Sequence, residues 1–88
     1  MKEQDYQRKI IKFLESKGAY VVKVSIATKK GVPDVLACYK GRFYGIEVKA
    51  PKGKPTELQL YNLEQIKKAG GVAVIATYVD DVERALID

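Results

Sequence analysis

Only two residues, Lys40-Gly41, separate two segments with the character of β-strands, Asp34–Tyr39 and Arg42–Lys49. So short a link specifies an antiparallel hairpin, because parallel strands need a crossover of a dozen residues or more. Lys-Gly is a less favourable turn pair than Asn-Gly, but Gly41 supplies the freedom at positive φ that a two-residue turn requires. With a turn of that length, Tyr39 faces Arg42, and counting outwards brings Asp34 opposite Glu47.

The flanking sequence sets the rest of the order. Over residues 2–17, Tyr6, Ile10, Phe13, Leu14 and Lys17 follow helical spacing, and Gly18 is placed to end the helix. Glu3, Gln4 and Asp5 match the positive end of its dipole. From Ala19 to Ala27, Tyr20, Val22, Val24 and Ile26 alternate with more polar neighbours, the pattern of a half-buried strand. Thr28 to Pro33 is a basic loop broken by Gly31 and Pro33. After the hairpin comes a second basic loop, Ala50–Pro55. Thr56 caps a helix from Glu57 to about Ala69, and Gln59 completes a capping box. Gly70-Gly71 stops that helix, Val72–Ala76 forms a short strand, and Asp80 caps a last short helix through Ile87. The consecutive apolar residues Val35-Leu36-Ala37 and Val72–Ala76 predict central strands covered on both faces. The order α-β-β-β-α-β-α therefore predicts an α/β domain over residues 1–88, with one mixed central sheet flanked by helices.

What the chain lacks narrows its chemistry. It has no histidine, so a Ser-His-Asp triad, a Cys-His pair and histidine-bound zinc are all excluded. Cys38 is the only cysteine and lies in an apolar run, which reads as a small core residue in a reducing cytoplasm rather than a nucleophile. No stretch reaches the length of a membrane span, and the N-terminus has no signal-peptide segment. The formal charge of +5 suits a polyanionic partner, though many unrelated proteins share such an excess.

Asp34 and Glu47, opposed on one strand face, would stand roughly 4.5–5.5 Å apart at their Cβ atoms, where like charges repel. A divalent cation relieves that repulsion, and Mg²⁺ is commonly held by one or two carboxylates. Lys49 falls on the same face as Glu47, while Val48 turns to the other face to pack with Ile46 and Val35. The Val48 carbonyl is placed to complete a metal shell. A cation, two carboxylates and an ammonium are the parts that phosphodiester hydrolysis needs. Taken alone, the same residues also fit ordinary strand-end charges. Glu3 and Gln7 prolong the apolar stripe of the first helix, so Glu3 serves either the dipole or a metal or water. Gln59 begins the inward stripe Gln59, Leu63 and Ile66, so it serves either the cap or the site, holding Lys49, a water or a phosphate.

The sequence Gly31-Val32-Pro33-Asp34, followed by Ile46-Glu47-Val48-Lys49 and then Gln59 on the next helix, resembles the PD-(D/E)xK nuclease core. Within that superfamily the chain is similar to the VRR-NUC domain in its short stand-alone form. The likeness covers nearly the whole chain, from Glu3 and Gln7 to Ala69-Gly70-Gly71. Archaeal-type junction resolvases share a similar order of motifs. The resemblance implies a restriction-endonuclease-like fold and a metal-dependent DNA endonuclease. Asp34 and Glu47 would bind Mg²⁺ or Mn²⁺, Lys49 would be catalytic, Gln59 would support the site, and Glu3 would add an acidic ligand. It also implies a homodimer acting on branched DNA, typically four-way (Holliday) junctions, with a phage or prokaryotic cytoplasm as its setting.

Lys29 and Lys30 in one loop, and Lys52 and Lys54 in the other, flank the expected carboxylate end of the hairpin and suit phosphate contacts that weaken with salt. No ordered set of arginines or amides specifies base readout, so recognition by backbone and shape is expected. Other readings are a non-catalytic nucleic-acid-binding module with this fold, a partner-binding domain, and a restriction-type or nicking nuclease.

Overall fold

The computed structural model describes residues 1–88. Its elements are α1 (Glu3–Ser16), β1 (Tyr20–Lys23), β2 (Val35–Tyr39), β3 (Arg42–Val48), α2 (Glu57–Lys68), β4 (Val72–Ala76) and α3 (Val79–Glu83). The four strands form one sheet in the order β1-β2-β3-β4. The first two pairings are antiparallel, and β3 pairs parallel to β4 across the α2 crossover.

The hairpin has the predicted register. Tyr39 faces Arg42 and Val35 faces Ile46. Lys40 and Gly41 both adopt positive φ, 50° and 80°, as a type I′ turn demands. Those dihedrals match the twist of the strands they join, so the turn and the sheet specify the same pairing.

The two faces of the sheet are filled differently. On one, Ile10 and Leu14 of α1 and Val82 of α3 pack with Val35, Ala37, Tyr44, Ile46, Val48, Val74 and Ala76. This is the main core, and most of these side chains are wholly buried. The other face carries Phe43, Gly45, Glu47 and Lys49 and receives α2. A Cβ at Gly45 would lie 2.5 Å from Ile66 Cδ1 and 3.2 Å from Pro33 Cγ, so a larger residue there would push the end of Ile66 aside. The α2 cap is as expected: Gln59 N–H donates to Thr56 Oγ1 at 3.1 Å, and Thr56 N–H donates to Gln59 Oε1 at 2.8 Å.

Four expectations need correction. β1 is shorter than Ala19–Ala27, and its alternating residues Tyr20 and Val22 point to the incompletely covered face, 74% and 42% exposed. The alternation identified a strand but not which side would be buried. Val72–Ala76 is an edge strand, not a central one. Its apolar run reflects helices packed on both of its faces, α2 on one and α3 on the other. Cys38 is exposed and not part of the core, because it shares the outward face of Tyr20 and Val22. The last helix begins at Val79, and Asp81 replaces Asp80 in holding its start, accepting from Thr77 N–H at 3.0 Å and Tyr78 N–H at 2.9 Å. No helix is long and apolar enough to cross a membrane.

Candidate active site

The approach to Asp34 is built against α2. Gly31 has φ +79°, and a Cβ there would come within 2.8 Å of Leu58 Cγ and 3.0 Å of Leu58 O. Asn62 Nδ2 donates to Lys30 O at 3.1 Å and to Leu58 O at 2.9 Å, fastening the loop to the helix. Pro33 is fully buried. Val24 N–H donates to Asp34 O at 2.8 Å, which joins the backbone of Asp34 to the strand edge. Its carboxylate turns towards β3, where Oδ2 accepts the Val48 N–H at 2.9 Å.

Glu47 lies beside it. Its side chain is 1% exposed, and neither carboxylate oxygen has a hydrogen-bond partner. Lys49 Nζ stands 3.6 Å from Glu47 Oε2, too far for a good hydrogen bond, with its side chain 18% exposed. Native interiors rarely leave a charged group in this condition, because desolvation without compensation is costly. Burial pushes the Glu47 carboxyl up to about 8, with the neighbouring Asp34 adding to the rise and Lys49 opposing it. The buried Glu47 carboxylate, bare at both oxygens, the Asp34 carboxylate beside it and an ammonium at their edge form an oxygen donor set suited to a hard divalent ion. Such an ion would supply the partner that Glu47 lacks.

Asp34, Glu47 and Lys49 are thus brought together as predicted, with Val48 wholly buried on the opposite face. Gln59 is half-buried at the start of α2, where its Oε1 is engaged in the cap. Glu3 is half-buried in the first turn of α1, and no third acidic, histidine or cysteine side chain is gathered with the Asp34–Glu47 pair. Gln7 faces inward with Ile10 and Leu14, its Oε1 buried and unsatisfied.

The basic residues divide. Lys52 and Lys54 are exposed on the loop that follows Lys49, with Lys52 at φ +71° and Gly53 N–H donating to Ala50 O at 2.9 Å. Lys30 is exposed beside Gly31. Lys29 does not lie at the carboxylate end. It lines a groove with Phe43, Asn62, Gln65 and Ile66, and Phe43 precedes Glu47 by four residues, roughly 13 Å along the strand. The cause is the docking of the loop on α2 through Gly31 and Asn62. Asn62 was not singled out from the sequence, although its place three residues after Gln59, at the edge of the inward stripe, was a usable signal.

Residues 1–88 match the family described as archaeal Holliday junction resolvase (Hjc). The chain belongs to that family. It is accordingly an endonuclease acting on branched DNA. Its fold is similar to that of a structure titled "VRR_NUC domain", with 27% identity, a TM-score of 0.80, and 93% of this chain and 90% of that chain covered. A "VRR_NUC domain protein" is similar over 98% of this chain and 88% of the other, at 19% identity and a TM-score of 0.76. Hjc from Archaeoglobus fulgidus, a Holliday junction resolvase from an archaeal hyperthermophile, is similar over 85% of this chain and 67% of its own, at 21% identity and a TM-score of 0.67. No curated protein sequence matches the chain.

Proposed function

We propose that this resolvase-family nuclease cuts four-way DNA junctions as a homodimer, with Mg²⁺ or Mn²⁺ held by Asp34 and Glu47. The observation that carries the reading is the buried Glu47 carboxylate, bare at both oxygens, beside Asp34 and 3.6 Å from Lys49. The Val48 carbonyl is a further ligand, and Glu3 acts at the outer edge through water. When bound, the ion neutralises phosphate charge and makes water a stronger acid.

The chain's own groups do the rest. Asp34 is held in place by the Val48 N–H, so its second oxygen is free to bind. Lys49 keeps positive charge beside the carboxylates, orienting water and stabilising the negative charge that grows on the phosphate oxygens. Gln59, with an amide nitrogen that makes no hydrogen bond within the chain, positions water or phosphate. Lys30, Lys52 and Lys54 hold flanking phosphates as point charges, and Lys29 serves the strand further out. One site cuts one strand, so paired cuts across a junction require two copies. Residues 1–88 form a single nuclease domain in this reading.

The test is cleavage of single-stranded, duplex, flap and four-way-junction DNA with Mg²⁺, with Mn²⁺ and with chelator. Metal-dependent cutting, best on branched DNA and lost in Glu47→Ala and Lys49→Ala while both remain folded, is the expected result. Binding without cutting under every metal condition would overturn it.

A further inference from the structure

The sheet face that carries the carboxylates is only partly covered. α2 and the docked loop lie over Gly45, but towards the hairpin tip and the outer strand β1 the face is bare. There Tyr20, Val22, Leu36, Cys38 and Phe43 line a cleft of about 240 Å³ that contains no charged side chain. Tyr20 is 74% exposed, Phe43 46% and Val22 42%.

We infer that this apolar half-face is the surface through which two copies of the chain associate. The inference rests on the homodimer proposed above and names the contact that makes it. An aromatic side chain presents roughly 200 Å² when fully exposed. At their observed exposures the two rings and their smaller neighbours leave about 400 Å² of contiguous apolar surface, within the range of the largest patch on an ordinary monomer, which is often a functional one. A standard interface takes roughly 800 Å² from each partner, a little over half of it apolar. The half-face therefore supplies most of the apolar share of such an interface.

The composition favours a second copy over nucleic acid. A phosphate-binding surface needs cations, and none lines the cleft. A projecting Tyr20 beside an apolar cleft gives one patch both a knob and a hole, which a two-fold axis can match with itself. The arrangement also leaves the site open, because Phe43 and Glu47 lie roughly 13 Å apart along β3.

Sedimentation equilibrium over a wide range of concentrations tests the inference. The wild-type mass should approach twice 9.8 kDa. Tyr20→Glu and Phe43→Glu should each remain single copies with unchanged circular dichroism, and Leu60→Glu, on a different exposed surface, should still pair. Maleimide labelling of Cys38 should slow as wild-type concentration rises, and pairing should persist at high salt. The single-copy variants should keep metal-dependent nicking of branched DNA and lose paired cutting of a four-way junction. A wild type that stays single at every concentration would overturn the inference, as would pairing indifferent to Tyr20 and Phe43. Variants that keep the paired mass but lose DNA affinity would give the surface to nucleic acid instead. If no form cuts any substrate, the nuclease reading fails, while the masses still decide this one.

Discussion

Ile46 and Glu47 are neighbours in sequence and equally hidden from solvent, yet they lie on opposite faces of the sheet and meet opposite fates. Ile46 joins a sealed apolar layer between the sheet and helices α1 and α3. Glu47 is enclosed with two bare oxygens and a displaced proton equilibrium. The first face is filled by groups that gain from leaving water; the second encloses a group that loses by it. The difference indicates that stability and chemistry are assigned by strand parity, one residue apart.

The contrast can be broken from either side. The largest effect should come from Glu47→Ala or Lys49→Ala, which in the proposed reading remove a metal ligand and the ammonium that faces the phosphate. Junction cutting should fall by about 10²- to 10³-fold or more, with the melting temperature held or raised. Ile46→Ala should do the reverse, costing about 2–5 kcal/mol in denaturant titration, with cutting retained per folded molecule.

A pH series separates the faces next. Glu47 in the folded, metal-free protein holds a proton up to about pH 8, whereas in the unfolded chain it releases that proton near 4.5. Over that window the folded state binds more protons, so stability of the metal-free protein should decline as pH rises, by at most roughly 1.4 kcal/mol per unit, and then level off. Glu47→Gln should flatten the slope. Divalent-ion affinity, measured by calorimetry, should rise across the same window because the ion competes with that proton.

The smallest effect sharpens the comparison at its border. Asn62→Ala removes the side chain that fastens the Asp34 loop to α2 and should cost about 1 kcal/mol. Because Asp34 is carried by that loop, cutting should decline further than stability does. Equal declines would make Asn62 a simple structural tie.

Much of the second face was legible from the chain itself. The two-residue link fixed the Tyr39–Arg42 pairing, and with it the approach of Asp34 to Glu47; Thr56 and Gln59 marked the start of α2 through a purely local bond pattern. Cys38, Tyr20 and Val22 were misread for one shared reason. Apolar alternation shows that a strand has two sides, whereas burial depends on what distant segments lie over them. α2 and the loop cover Gly45 and stop short of β1, and nothing within Ala19–Ala27 records where they stop. Lys29 shows the same limit, since its position follows from Gly31 meeting Leu58 in another part of the chain.

The type I′ turn at Lys40-Gly41 has a consequence for how such a hairpin can vary. Side chains on it can be exchanged freely so long as the backbone dihedrals remain accessible. Adding or deleting one residue is another matter: with the β3–β4 pairing kept, β2 must shift by one position and Asp34 leaves its place opposite Glu47. Changes in length are therefore filtered far more severely here than changes in identity.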